Sequence, residues 1–121
     1  MLKRFIRSVK LPIRKTPIRV AFSLLKYPNG NTAVAVYKPT LLGYKDWDIL
    51  TVNTGTVLPE NCVCIDTNHH GEEIINCLEQ LRLGTSTGLN CASGFCKYPV
   101  FQFNLEKLQQ YSIPNNARIH D

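Results

Sequence analysis

The sequence predicts a single α+β domain, with a largely antiparallel sheet of about five strands, one main helix and a short C-terminal helix, preceded by a basic N-terminal arm. Three observations carry this. A chain of 121 residues is one domain's worth of polypeptide and leaves no room for a second. Alternating stretches bounded by Gly and Pro come early and helical periodicity comes late, which is the order of an α+β fold rather than of strictly alternating strand and helix. The charge is also divided: residues 1–19 hold seven of the fourteen bases and none of the nine acids. The arm is therefore assigned to 1–19 and the domain to 20–121.

In the arm, Leu2, Phe5, Ile6 and Val9 recur at helical spacing, so residues 2–10 are expected as a short amphipathic helix. Pro12 and Pro17 then break helical continuity and make a stiff connector. Residues 18–27 and 32–38 alternate partially around Pro28-Asn29-Gly30-Asn31, whose turn chemistry predicts a hairpin. Residues 46–53 read as a third strand with Trp47 packed inward and Asp46 and Asp48 exposed beside it. Residues 62–65 form a fourth, with Val63 and Ile65 on one face and two thiols on the other.

A helix is expected from about His69 to Leu83, capped by Asn68, with Ile74, Ile75, Leu78 and Leu81 as its buried stripe and Gly84 as its left-handed C-terminal residue. Gly84 to Gly94 reads as a loop. Residues 95–104 follow as a fifth strand, where Pro99 requires an edge or a bulge. Leu105 to Tyr111 is a helix capped by Asn104, and the remainder is a polar tail.

The net charge of +5 misdescribes both parts of the chain. With the seven bases of 1–19 set aside, seven bases and nine acids leave −2 over 20–121. No apolar run reaches the ~18–20 residues of a membrane span. A base every few positions breaks up any apolar core of a secretory signal. Five cysteines, an odd number, cannot all pair internally, so reduced thiols and a cytoplasmic location are expected.

Catalytic patterns find no support in their contexts. Gly84-Thr85-Ser86-Thr87-Gly88 matches a serine nucleophile elbow by letter, but it follows a helix where the elbow needs a preceding strand. His69 and His70 are adjacent, whereas zinc-binding helices place histidines four apart on one face. Cys62, Cys64, Cys91 and Cys96 offer enough soft ligands for one tetrahedral zinc, although no pair has the usual two-residue spacing. The alternative is that they are small buried apolar groups. No cofactor and no enzymatic activity are expected.

The arm carries the functional expectation. Lys3, Arg4, Lys10, Arg14, Lys15, Arg19 and Arg7, interleaved with apolar residues, suit phosphates of RNA or DNA, an acidic protein groove or anionic lipid. Stacking of bases on Tyr27, Tyr37, Tyr44 or Trp47 would add affinity. No known sequence-reading motif accompanies them.

Leu50-Thr51-Val52-Asn53, Leu58-Pro59-Glu60-Asn61, Ile65-Asp66-Thr67-Asn68, Gly84 to Gly88 and Ser93 to Val100, with Phe103 and Leu105, carry a resemblance. Over residues 20–111 the chain resembles an uncharacterised family of small α+β domains encoded on conjugative elements and phages of gut-type bacteria. The basic arm is an addition to that pattern. The resemblance implies a non-catalytic accessory protein, anti-CRISPR-like, that binds and inhibits or redirects a host nucleic-acid-processing complex. Its partner would be a host protein or ribonucleoprotein complex, with RNA contacted by the arm. The alternative is a small intracellular metal-binding or redox domain built on Cys62, Cys64, Cys91 and Cys96.

Overall fold

Two four-stranded antiparallel sheets face each other across one apolar core in the computed structural model, which describes residues 7–113. The first sheet runs in chain order: β1 (Val9–Ile13), β2 (Thr16–Lys26), β3 (Thr32–Thr40) and β4 (Gly43–Ile49). The second contains β5 (Thr51–Val52), β6 (Cys62–Ile65), β7 (Gly84–Ser93) and β8 (Cys96–Phe103), in the order β5-β6-β8-β7. The helices are α1 (Thr67–His70), α2 (Glu73–Gln80) and α3 (Leu105–Gln109). The α+β class and the antiparallel pairing hold. The expected five strands become eight among the described residues, in two sheets.

Two strands account for most of that difference. Val9, Leu11 and Ile13 alternate with Lys10 and Pro12, and all three point into the core, so residues 9–13 pair with β2 instead of forming a helix. The helical spacing of Leu2, Phe5, Ile6 and Val9 competed with this two-residue period, and burial of three side chains decided it. Residues 1–6 lie outside the described residues. The expected boundary at 19/20 falls inside β2, and residues 9–19 are a hairpin of the body, not a separate arm. Pro12 and Pro17 sit opposite each other, next to the hydrogen-bonded pair that closes the two-residue turn, so neither missing N–H interrupts the ladder.

The second correction is residues 84–93, expected as a loop and found as β7 against β8. Their Thr, Ser and Asn side chains are mostly exposed, and pairing to an apolar neighbour supplied what composition lacked. Gly84 is not a helix cap. A Cβ there would lie 2.3 Å from Gln102 O and 2.5 Å from Phe101 Cε2, so glycine lets β7 approach β8. The left-handed residue after α2 is Arg82, at φ 60°. Pro99 is accommodated as expected: β7 bulges between Ser86 and Asn90 opposite it, and β6 pairs only with Val100 to Gln102.

The expected helix from His69 is divided at Gly71, whose φ of 86° separates α1 from α2, and Asp66 rather than Asn68 caps α1. Ile74 and Leu78 reach the core as the periodicity predicted, with Ile75 and Leu81 packed at its margin. Asn104 caps α3 through Lys107 N–H at 3.1 Å. Beyond α3 the chain returns to β2: Phe22 N–H donates to Tyr111 O and Ile113 N–H to Phe22 O, on the edge that β1 leaves open past Val20. Residues 114–121 of the expected polar tail lie outside the described residues. No helix among the described residues is long and apolar enough to cross a membrane.

Candidate nucleic-acid interface

The β1–β2 turn is built from Arg14 and Lys15, both left-handed at φ 50° and 68°. Such turns favour Asn-Gly, because side chains with a Cβ are strained there. Contacts from elsewhere in the fold hold this one. Arg14 N–H donates to His70 Nδ1 at 2.9 Å, and Arg14 Nε donates to Asp48 Oδ2 at 2.6 Å. Because Nδ1 accepts, the proton of the neutral His70 ring is on Nε2, which donates to Ile49 O at 2.7 Å. His70 is buried, 1% exposed. Partial burial pushes the Asp48 carboxyl up, but the Arg14 and Ile49 N–H bonds and the Arg14 charge outweigh it and hold it below its ordinary value.

With Val9, Leu11 and Ile13 turned inward, the hairpin presents its bases to solvent. Lys10 and Arg19 stand directly opposite each other on the outer face. Arg19 also donates to Ser8 O at 3.1 Å. Arg7 is exposed before β1, and Lys15 is exposed at the turn, its stem lying beside Gly71. Among the described residues, Arg14 alone of these five has a carboxylate within ion-pair distance. Like charges directly opposite on a ladder are destabilising unless an anion meets them. Lys3 and Arg4 lie outside the described residues.

Trp47 is the aromatic that sequence reasoning placed on the wrong face. β3 and β4 shift register between Val36 and Tyr37, and this bulge turns Trp47 outward, leaving it 44% exposed. Lys38 Nζ lies 5.0 Å from its ring centroid. On one side the ring borders a cleft of about 360 Å³ lined by Ile13, Arg14, Thr16, Ile18 and Asp48. On the other it borders a hollow of about 270 Å³ over the bulge. The tyrosines are less available: Tyr37 is buried, Tyr44 half-buried, and Tyr27 is held through its hydroxyl by Thr51. The arrangement offers a flat apolar ring beside cations.

Four of the five cysteines lie elsewhere, on the outer face of the second sheet, while Cys77 on α2 packs against the main core. Cys62, Cys64, Tyr98 and Val100 form a small apolar cluster, with Cys91 and Cys96 at its margin, while Val63 and Ile65 face the main core as their alternation predicted. Among the described residues no three His, Cys, Asp or Glu side chains are placed together to hold a metal ion, and Cys62 and Cys64 pack in an apolar cluster. Burial, reinforced by Cys91, pushes the Cys64 thiol up to about 12 and keeps it protonated. Ser86 lies within β7 opposite Phe101, its N–H donating to Glu79 Oε2 at 3.0 Å, in a strand and not on an elbow.

A family model described as a domain of unknown function (DUF4313) matches residues 21–116. No curated protein and no solved structure matches the chain. The matched span begins within β2, so it contains Trp47 and Asp48 and leaves out Arg7, Lys10, Arg14, Lys15 and Arg19.

Proposed function

Because the chain belongs to the DUF4313 family, whose function is not assigned, its activity is read from its own residues. We propose that it is a non-catalytic accessory protein of a phage or mobile element that inhibits or redirects a host nucleic-acid-processing complex, of the CRISPR-nuclease kind, by binding its RNA. The observation that carries this reading is the cross-strand couple Lys10 and Arg19, which has no carboxylate partner among the described residues, with Arg7 and Lys15 at the two ends of the same hairpin. An anion resolves that repulsion, and a flexible single strand can reach both the bases and Trp47. Stacking there would favour unpaired RNA over duplex. The mobile-element part rests on the sequence resemblance, and the cellular site of action is the cytoplasm of the host.

The test is binding of a single-stranded RNA oligonucleotide to the full chain, followed by fluorescence anisotropy across salt concentration. Contact by the four carboxylate-free bases gives a slope of log K against log salt of about −2 to −3. Replacing Lys10→Gln with Arg19→Gln flattens the slope by about one. Trp47→Ala weakens binding by roughly 1–3 kcal/mol without changing the slope. Salt-independent binding, or binding unaffected by the Lys10 and Arg19 replacements, would exclude the hairpin as the RNA contact.

A further inference from the structure

The β3–β4 hairpin carries at its end a second cluster, which the RNA reading shares only at Trp47. Its tip, Thr40-Leu41-Leu42-Gly43, is pinned by Thr40 Oγ1, which donates to Gly43 O at 2.8 Å and accepts from Leu42 N–H at 3.2 Å. Leu41 and Leu42 are 102% and 91% exposed. Three residues back on each side, Lys38 and Lys45 stand directly opposite in register, both exposed. Neither has a carboxylate partner among the described residues. Trp47 follows on the same strand, beneath Lys38.

Adjacent leucines fixed wholly in solvent on a pinned turn call for an apolar medium, and a pair of opposed lysines calls for anions. The spacing relates the two. At ~3.3 Å per residue the lysines lie roughly 10 Å behind the leucines, comparable to the ~5–10 Å by which an interfacial apolar segment sinks into the headgroup/acyl boundary. Trp47, two residues past Lys45, lies roughly 7 Å further back, with Lys38 Nζ 5.0 Å from its ring centroid, so its environment reports on Lys38. A phosphodiester chain has no use for two leucines. A flanking cation on each strand suits a charged plane more than a one-sided pocket rim.

We propose that the β3–β4 hairpin docks this protein on an anionic lipid bilayer, with Leu41 and Leu42 entering the acyl boundary and Lys38 and Lys45 pairing with headgroup phosphates. The contact is reversible, because two leucines and two lysines fall short of a permanent anchor. It is separate from the Lys10 and Arg19 face and stands or falls independently of RNA binding.

Sedimentation of the full chain with vesicles of phosphatidylcholine containing about one-third phosphatidylglycerol tests this, against vesicles of phosphatidylcholine alone. Trp47, the sole tryptophan, supplies an optical readout. The expected result is binding to the anionic vesicles with a change in Trp47 emission as Lys38 meets headgroup phosphates, and little binding to the neutral ones. Lys38→Gln with Lys45→Gln weakens binding about thirtyfold, at about fivefold per lysine. Leu41→Ser with Leu42→Ser weakens it at least about tenfold. Thermal unfolding of each variant establishes that these exposed replacements leave the fold intact. Absence of vesicle binding would overturn the proposal. So would binding that survives loss of both leucines, or that is lost only with Lys10→Gln and Arg19→Gln. A protein that is captured through Leu41 and Leu42 while vesicles are ignored would assign the tip to a protein pocket, and overturns it as well.

Discussion

The backbone N–H of Arg14 donates to Nδ1 of His70, 56 positions away in the chain, at 2.9 Å. The opposite ring nitrogen donates to Ile49 O at 2.7 Å, so one buried imidazole ties the β1–β2 turn to the end of β4. The left-handed pair Arg14 and Lys15 is therefore held in place from outside. His70→Phe keeps an aromatic ring at the site but leaves the part-buried Arg14 N–H and Ile49 C=O without their partner. It is expected to destabilise the fold by about 2–4 kcal/mol. Urea denaturation measures this, and faster amide exchange at Leu11 to Ile18 locates it in the hairpin.

Asp48 sits beneath the same turn, and its pH dependence has a definite sign. Its carboxyl titrates below the ordinary value in the folded protein, so on acidification the unfolded chain takes up its proton first. The stabilisation is complete above the ordinary carboxylate pKa of about 4 and is lost as pH falls through the lower folded value. Asp48→Asn should flatten the fall in stability below about pH 4, measured by urea midpoints between acid and neutral pH. An equally steep decline in the variant would remove Asp48 from the acid response.

The Cys64 thiol works in the opposite direction. Its folded value of about 12 exceeds the ordinary 9.0, so as pH rises the unfolded chain ionises first. Stability from this group is complete below 9.0 and is lost as pH rises toward about 12. Cys64→Ala should flatten that alkaline decline. In the native protein at mild alkaline pH, a thiol reagent should label the half-buried Cys77, Cys91 and Cys96 and spare Cys62 and Cys64 until the chain unfolds.

Gly84 is the most constrained of the small residues. A methyl group there meets Gln102 O, Phe101 Cε2 and Phe103 Cα, two of them backbone atoms that cannot swing aside. Gly84→Ala should cost at least about 2 kcal/mol through separation of β7 from β8. At Gly94, where nothing lies within 4 Å, the cost of alanine is instead that of its positive φ and should be smaller. Parallel thermal unfolding of the two variants distinguishes crowding from backbone strain.

Local chemistry made several parts legible in the sequence. Pro28 to Asn31 specified the β2–β3 turn, Asn104 capped α3, and alternation in Cys62-Val63-Cys64-Ile65 divided the two faces of β6. Each depends on neighbours within a few positions. The surplus of bases in residues 1–19 was equally plain, because charge is counted without a fold. What those bases do depended on the tertiary structure. Val9, Leu11 and Ile13 found a core to fill, which made a strand of the segment and turned Lys10 and Arg19 to the same side. Trp47 was turned outward by a register shift that no local pattern encodes, and the Arg14–Lys15 turn stands on His70 and Asp48. Composition and spacing therefore determined which residues carry charge and which prefer burial. Strand pairing, fixed by a core shared with distant segments and by the contacts of Arg14 with His70 and Asp48, decided which of them face solvent together.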